Sequence, residues 1–522
     1  MNKAIEIKQK GQLDIISKDV SYTQDPTRLF QVLCGDKTNS LLLESADIDS
    51  KEDLKSMLLI DAAVRIVCRE HDVELEALTA NGEKALQRIS DHVQSSIQTS
   101  GDKQKTLKLH FEQPDNTLDE DSRLREASSF DALRLIQHSF DIEGKDKFAL
   151  FMGGLFAYDL VANFEPLGDA DPVNDCPDYL FYLAETLMIV DHQTQSCTVQ
   201  ASVFDGSDET KQALVSRLDE IDRLSHQPAP LKESVKLSKC EAVPSVSDED
   251  FCQVVSDLKE YVVKGDIFQV VPSRRFTLPC PSPLAAYQSL KQSNPSPYMF
   301  YMHDELFTLF GASPESALKY SADTNQIEIY PIAGTRPRGK NPDGTINLDL
   351  DSRMELDLRS DMKEKAEHMM LVDLARNDVA RISEPGTRHL ADLLKADRYS
   401  HVIHLVSRVV GQLRNDLDAL HGYQACMNMG TLSGAPKIRA MQLIRDVEKK
   451  RRGSYGGAVG YYTGEGDLDT CIVIRSAYVE NGIAQVQAGA GIVYDSDPQS
   501  EADETRAKAQ AVISAIQKAH KE

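Results

Sequence analysis

Apolar positions along the chain fall into two rhythms. Phe251, Val254, Val255, Leu258, Tyr261 and Val262 recur three and four apart, as on one face of a helix, and Gly265 stands where a C-terminal cap would end it. Other runs are strand-like: Ser40–Glu44 and 181–190 in the first half, then 456–462, 471–479 and 483–494 in the second. Within 471–479 the alternation puts Val473, Arg475 and Ala477 on one face. These later strands follow one another as hairpins do rather than alternating with helices. The pattern therefore predicts an α+β fold built on antiparallel sheets.

Between 226 and 250 both rhythms stop. The segment HQPAPLKESVKLSKCEAVPSVSDED is polar and holds three prolines, which reads as a linker. It divides an N-terminal region, 1–235, from a C-terminal region, 250–522. A length of 522 residues exceeds what one hydrophobic core usually supports. The formal charge of −24 disfavours a nucleic-acid partner, and an anionic small substrate needs local basic groups to offset that field. The nine cysteines include no C-x-x-C pair, as expected of reduced thiols rather than a zinc or redox site. The apolar stretch 57–67 is interrupted by Asp61 and Arg65, and the N-terminus MNKAIEIKQKG has no signal-peptide core. A cytoplasmic protein without a membrane partner is expected.

Two helical segments each carry a pair of glutamates three residues apart. Glu364 and Glu367 continue the stripe of Leu371 and Leu374, while Glu501 and Glu504 share a face with Ala511, Val512, Ala515 and Ala519. Carboxylates on an apolar stripe need a partner. With no histidine or thiolate beside them, a hard cation such as Mg²⁺ suits them, and a solvated helix face is the competing reading. Three glycine-bearing segments, 331–339, 456–460 and 487–492, would let backbone amides approach an anion, or serve only as turns. Arg475 is either an ion-pair partner or a carboxylate clamp. Lys508 is either an i,i+4 partner of Glu504 or a second clamp. His404, in an apolar run, reads first as a core residue. These residues support a magnesium-dependent enzyme acting on a small carboxylated substrate.

Taken together, PIAGTRPRG, KEKAEHMMLVDLARND, HLVSRVVG, TLSGAPKIRAM, YGGAVGYYTGEGDLDTCIVIRS and QAGAGIVYDSDPQSEADET closely resemble the chorismate-binding enzymes. Their order and spacing match the anthranilate synthase branch of that family, and LLLESADIDSKEDLKSMLLIDAAVRI and GGLFAYDLV extend the resemblance into the first half. The resemblance implies a large antiparallel-sheet catalytic domain over 250–522 and an N-terminal regulatory, tryptophan-sensing domain over 1–235. It implies a lyase that turns chorismate and ammonia into anthranilate and pyruvate. Lacking an amidotransferase cysteine motif, such a chain depends on a glutamine amidotransferase subunit and works as a hetero-oligomer.

By the same resemblance Glu367 and Glu504 are direct Mg²⁺ ligands, with Glu364 and Glu501 in support. Gly334, Thr335, Tyr455, Arg475, Gly489, Ala490, Gly491 and Lys508 bind the substrate carboxylates. Glu315 is the general acid, His404 assists it, and Thr431 and Gln269 complete the catalytic group. Glu44, Ser45, Lys51, Pro297, Tyr298, Met299, Val459 and Tyr461 match a tryptophan feedback site. Water-using relatives carry a lysine where this chain has Gln269, and aminodeoxychorismate synthases one where it has Ala333. With neither lysine present, ammonia is the expected nucleophile. The alternatives are an isochorismate- or salicylate-type enzyme using water, and a non-catalytic tryptophan-sensing subunit.

Overall fold

The computed structural model describes residues 10–45, 54–94, 97–102, 104–115, 117–229, 234–399 and 402–521. Fifteen of its strands carry the description that follows. In chain order they are β1 (Ser40–Glu44), β2 (Lys55–Arg69), β3 (Met152–Phe156), β4 (Tyr179–Asp191), β5 (Ser273–Pro279) and β6 (Tyr298–His303). Next come β7 (Thr308–Ser313), β8 (Ser316–Ser321), β9 (Gln326–Ile329), β10 (Ile332–Pro337) and β11 (Val402–Gln412). The last are β12 (Ala458–Tyr462), β13 (Leu468–Ile472), β14 (Ser476–Glu480) and β15 (Ile483–Gly489). They form one hydrogen-bonded path, β5-β15-β14-β7-β6-β1-β2-β4-β3-β12-β13-β8-β9-β11-β10, and every pairing on it is antiparallel.

The sheet passes over the 226–250 segment. β1 pairs with β6, and β3 with β12, so strands from before and after that segment are neighbours in one sheet. The core residues Leu41, Met57, Phe151, Leu155, Phe300, Val459 and Tyr478 pack together between the arms of the path.

Six helices matter to the site: α1 (Asp248–Lys264), α2 (Pro283–Ser293), α3 (Leu348–Ser360), α4 (Met362–Ile382), α5 (Lys437–Glu448) and α6 (Pro498–His520). α1 is the helix read from periodicity. Ser247 caps its start, and Gly265 ends it in the left-handed conformation at φ 81°. It begins at Asp248, two residues inside the expected linker, because the Ser247 hydroxyl satisfies the Asp250 amide at 3.1 Å.

Two strand expectations are corrected. The run 471–479 is not one strand: β13 ends at Ile472, β14 starts at Ser476, and Arg475 between them takes φ 49°. The chain there leaves its pairing with β8 and takes up pairing with β7, which an alternating pattern cannot register. The run 483–494 stops being strand at Gly489, where the backbone turns toward α6. Asp61 and Arg65, which interrupt the apolar stretch of β2, are both paired: Arg65 with Asp304 at 2.8 Å and Asp61 with Arg217 at 3.0 Å. Among the described residues no helix is long and apolar enough to cross a membrane.

Candidate active site

At Glu315 the chain passes from β7, paired with β14, to β8, paired with β13, and at Arg475 it passes back from β13 to β14. Glu315 lies between β7 and β8, Arg475 between β13 and β14. The crossings are tied together: the Ile472 amide donates to the Glu315 carbonyl at 3.0 Å, and the Ala312 amide to the Arg475 carbonyl at 3.1 Å. A left-handed arginine costs on the order of 1–3 kcal/mol, tolerated where surrounding structure fixes it. Burial pushes the Glu315 carboxyl up to about 8, against the lowering by the Thr431 hydroxyl and the charges of Lys508 and Arg475. Thr431 Oγ1 donates to Glu315 Oε1 at 3.0 Å. A cavity of only about 20 Å³ lies behind this pair, walled by Leu371, Leu374 and Met429. That volume has room for about one water.

Arg475 forms no ion pair with any described residue. Burial pulls its guanidinium below the usual arginine range, opposed by Tyr455, Glu315 and Glu504. A desolvated cation without a bound anion is unfavourable, and an anionic ligand would relieve it. Around it stand the other residues expected to meet a carboxylate. Lys508 pairs with Glu504 at 2.6 Å, as its i,i+4 reading expects, and donates to the Gly489 carbonyl at 3.1 Å. A side chain on Gly489 would sit 2.7 Å from the Pro272 carbonyl and 3.0 Å from the Tyr455 hydroxyl, so this approach requires glycine. Burial lifts the Tyr455 phenol to about 12, keeping it a donor. The Ala490 amide already donates to Pro272 at 3.2 Å. Gln269 packs against Gly491, where a Cβ would lie 2.6 Å from its Nε2, and its buried Oε1 has no hydrogen-bond partner.

Glu364 and Glu501 lie in the first turns of α4 and α6, where the helix dipole favours negative charge, and Glu367 and Glu504 follow one turn later. Asp361 and Asp497 cap those helices. Burial raises the Glu367 carboxyl, aided by the like charges of Glu364, Glu504 and Glu501 and opposed by Lys363. Burial also raises Glu501, with Ser496 opposing. The expectation of inward carboxylates holds for Glu501, which is buried, whereas Glu504 is largely exposed and bends to Lys508. Glu364 pairs with Arg336 at 3.0 Å, and Glu367 with Lys363 at 4.0 Å. Among the described residues no three metal-binding side chains form a cage. The donor set nonetheless fits a hard cation: oxygen ligands only, on two helices, repelling one another.

On the facing side, Gly334 takes φ 79°, and a Cβ there would come within 3.2 Å of Glu364 Oε2. Thr335 registers opposite His404 across β10 and β11. His404 Nδ1 lies 3.2 Å from the Gly334 carbonyl and 3.0 Å from Thr335 Oγ1. A carbonyl only accepts, so Nδ1 carries the proton and Nε2 the lone pair. Burial lowers the imidazole to about 4, leaving it neutral near pH 7. Sequence reading missed Arg336, whose guanidinium binds Asp357, Asp361 and Glu364 and so fixes the last. Its place directly after Thr335 in GTRPRG was the available signal.

A separate cavity of about 350 Å³ lies between the arms. Glu44, Ser45, Pro297, Tyr298, Met299, Val459 and Tyr461 all line it, and Lys51 lies outside the described residues. Ser45 Oγ donates to the Pro297 carbonyl at 2.9 Å. Tyr461 stacks on Phe151 at 5.3 Å. The Glu44 carboxylate is already engaged by Thr27 at 2.8 Å, by Lys291 at 2.6 Å and by the Tyr287 hydroxyl. It therefore anchors β1 to α2 at the pocket wall.

A raised acid, a half-buried guanidinium without an ion pair among the described residues and carboxylates on two helices thus gather along this strand path. The model of the family described as "chorismate binding enzyme" matches residues 74–514, and this chain belongs to that family. Within it, a Vibrio parahaemolyticus protein named anthranilate synthase component 1 is 73% identical over 521 residues, covering 100% of this chain and 96% of that protein. The solved anthranilate synthase component I of Streptococcus pneumoniae aligns with TM-score 0.68 at 28% identity, covering 89% of this chain and 93% of that one. A menaquinone-specific isochorismate synthase from Escherichia coli shares the fold, with TM-score 0.67 at 18% identity over 99% of this chain and 96% of that one.

Proposed function

We propose that this chain is the synthase subunit converting chorismate and ammonia into anthranilate, pyruvate and water, with ammonia released from glutamine by an amidotransferase partner. The half-buried Arg475, without an ion pair among the described residues, beside a protonated Glu315 is the observation that carries this reading. A dicarboxylate substrate would meet Arg475, Lys508, Tyr455 and the 489–491 backbone with one carboxylate, and the Gly334–Thr335 side with the other. Glu367 and Glu504, supported by Glu364 and Glu501, would hold Mg²⁺. When bound, the ion withdraws charge from the ring carboxylate.

Glu315, protonated near pH 7, gives its proton to the ring hydroxyl leaving carbon four as ammonia bonds at carbon two. The proton shed by the new ammonium group balances this step, and water departs. Loss of the hydrogen at carbon two and cleavage of the enol-ether bond then release pyruvate and leave an aromatic ring. His404, neutral with its lone pair on Nε2, is suited to accept a proton in this course. The isochorismate synthase likeness speaks only to fold, and Gln269 and Ala333, where related branches carry lysine, favour ammonia as the nucleophile. A neutral amide at 269 can orient ammonia but is no base for water.

The cavity between the arms is proposed as a tryptophan feedback site. A ligand there touches segments from before and after 226–250. It can alter chemistry only through a difference in affinity between states of the chain. Incubating the purified chain with chorismate and ammonium, with and without Mg²⁺, and following anthranilate fluorescence tests the reading. Metal-dependent anthranilate is expected; isochorismate as the product would overturn it.

A further inference from the structure

Beneath the site lies an ion pair that contacts none of the residues assigned to the metal. Glu448 ends α5, where the helix dipole disfavours a carboxylate, so helix stability does not account for it. Arg452 binds it bidentately, Nε to Oε2 at 3.0 Å and Nη2 to Oε1 at 2.6 Å. Both side chains are buried, at 1% and 8% exposure. Buried ion pairs add little net stability over apolar packing, which directs attention to what this one holds.

Each remaining bond of the pair ends on a segment of the candidate site. Arg452 Nη1 donates to the Leu432 carbonyl at 2.7 Å, directly after Thr431. Nη2 donates to the Val271 carbonyl at 2.6 Å, two residues after Gln269. The guanidinium lies 5.5 Å from the Tyr455 ring and 4.6 Å from the Tyr158 ring on which it rests. Glu448 Oε1 accepts from both the amide and the hydroxyl of Ser273 at 2.8 Å, and Ser273 registers opposite Gly489. One planar fork thus meets the chain near Gln269, Thr431 and Tyr455, and its partner carboxylate reaches the strand opposite Gly489.

We infer that the Glu448–Arg452 pair is the positioning element of this site, setting Tyr455, Gly489 and the Thr431 segment relative to one another without touching substrate. This rests on the proposed role of Tyr455 and Gly489 in holding a chorismate carboxylate. Lysine at 452 keeps the charge but cannot reach two carbonyls and a carboxylate together.

The test uses the full chain with Mg²⁺, comparing Arg452→Lys, Glu448→Gln and Tyr455→Phe and their double variants. Arg452→Lys is expected to raise the chorismate KM about tenfold or more, and most of that loss should vanish in the Tyr455→Phe background. A purely structural role would lower kcat with the amount of folded protein and leave KM in place, overturning the inference, as would additive losses. Should Arg452→Lys not fold, Glu448→Gln, which keeps size but turns one accepting oxygen into a donor, carries the same comparison. Hydrogen exchange without substrate should show protection lost at 271–273, 431–433 and 487–491 in either variant. Unchanged protection overturns the inference even if the parent makes no anthranilate, an outcome that by itself overturns only the chorismate reading.

Discussion

Thr431 Oγ1 donates to Glu315 Oε1 at 3.0 Å, joining residues 116 positions apart at the point where the chain passes from β7 to β8. That bond opposes the burial holding the Glu315 carboxyl at about 8, so the protonation of the acid is set by burial against one hydroxyl and the charges of Lys508 and Arg475.

The pH dependence follows. A general acid must carry its proton, so turnover at fixed free ammonia should be sustained below pH 8 and fall as pH rises through about 8. Glu315→Gln should lower kcat by roughly 10²- to 10⁴-fold. Thr431→Val removes a lowering influence and should move the alkaline limb upward. A limb unmoved in Thr431→Val would show that Glu315 does not set it.

Stability carries the same sign. The folded Glu315 keeps a proton up to about 8 that the unfolded chain releases near the ordinary glutamate value of 4.5. The folded state binds more protons across that window, so this residue lowers stability as pH rises through it. Glu315→Gln should therefore raise the unfolding temperature more at pH 9 than at pH 5. Equal shifts at both would contradict a buried, raised carboxyl.

Glu367→Gln and Glu504→Gln should each abolish turnover while the chain still unfolds cooperatively. Glu367 is raised by burial and like charge, so removing its charge should not weaken the fold near neutral pH. Calorimetric titration with Mg²⁺ should show binding by the parent and little by either variant. Full activity in either variant at limiting Mg²⁺ would remove these glutamates from the metal site.

The chain contains no tryptophan, so indole fluorescence in a binding experiment comes only from added ligand. Tryptophan emission should shift to shorter wavelength on binding the 350 Å³ cavity. Ser45→Phe, which puts an aromatic ring into that space, should abolish the shift and the inhibition while retaining ammonium-dependent synthesis. An unaltered shift would place the regulatory site elsewhere.

Seven of the nine cysteines are buried, and burial pushes the Cys34, Cys197 and Cys280 thiols up to about 12. Those three thiols offer no activated thiolate for glutamine hydrolysis. The isolated chain should use ammonium and not glutamine, until an amidotransferase partner is added. Anthranilate made from glutamine by the chain alone would reveal an unseen glutaminase site.

By itself the sequence determined what depends on near neighbours. The helix ending at Gly265, the strand Ser40–Glu44 and the spacing of both glutamate pairs were legible because periodicity and capping involve residues within a few positions. The motifs that carry the family resemblance also marked Glu315, His404 and Tyr455 as candidates. Only the tertiary structure decided what those groups meet. It broke 471–479 at Arg475, left that guanidinium half-buried without an ion pair among the described residues, and engaged Glu44 with Tyr287 and Lys291. It also set Ser45 against Pro297 across 252 positions. Desolvation and pairing depend on which distant segments pack together, and packing at that separation leaves no periodic trace in a local window of sequence.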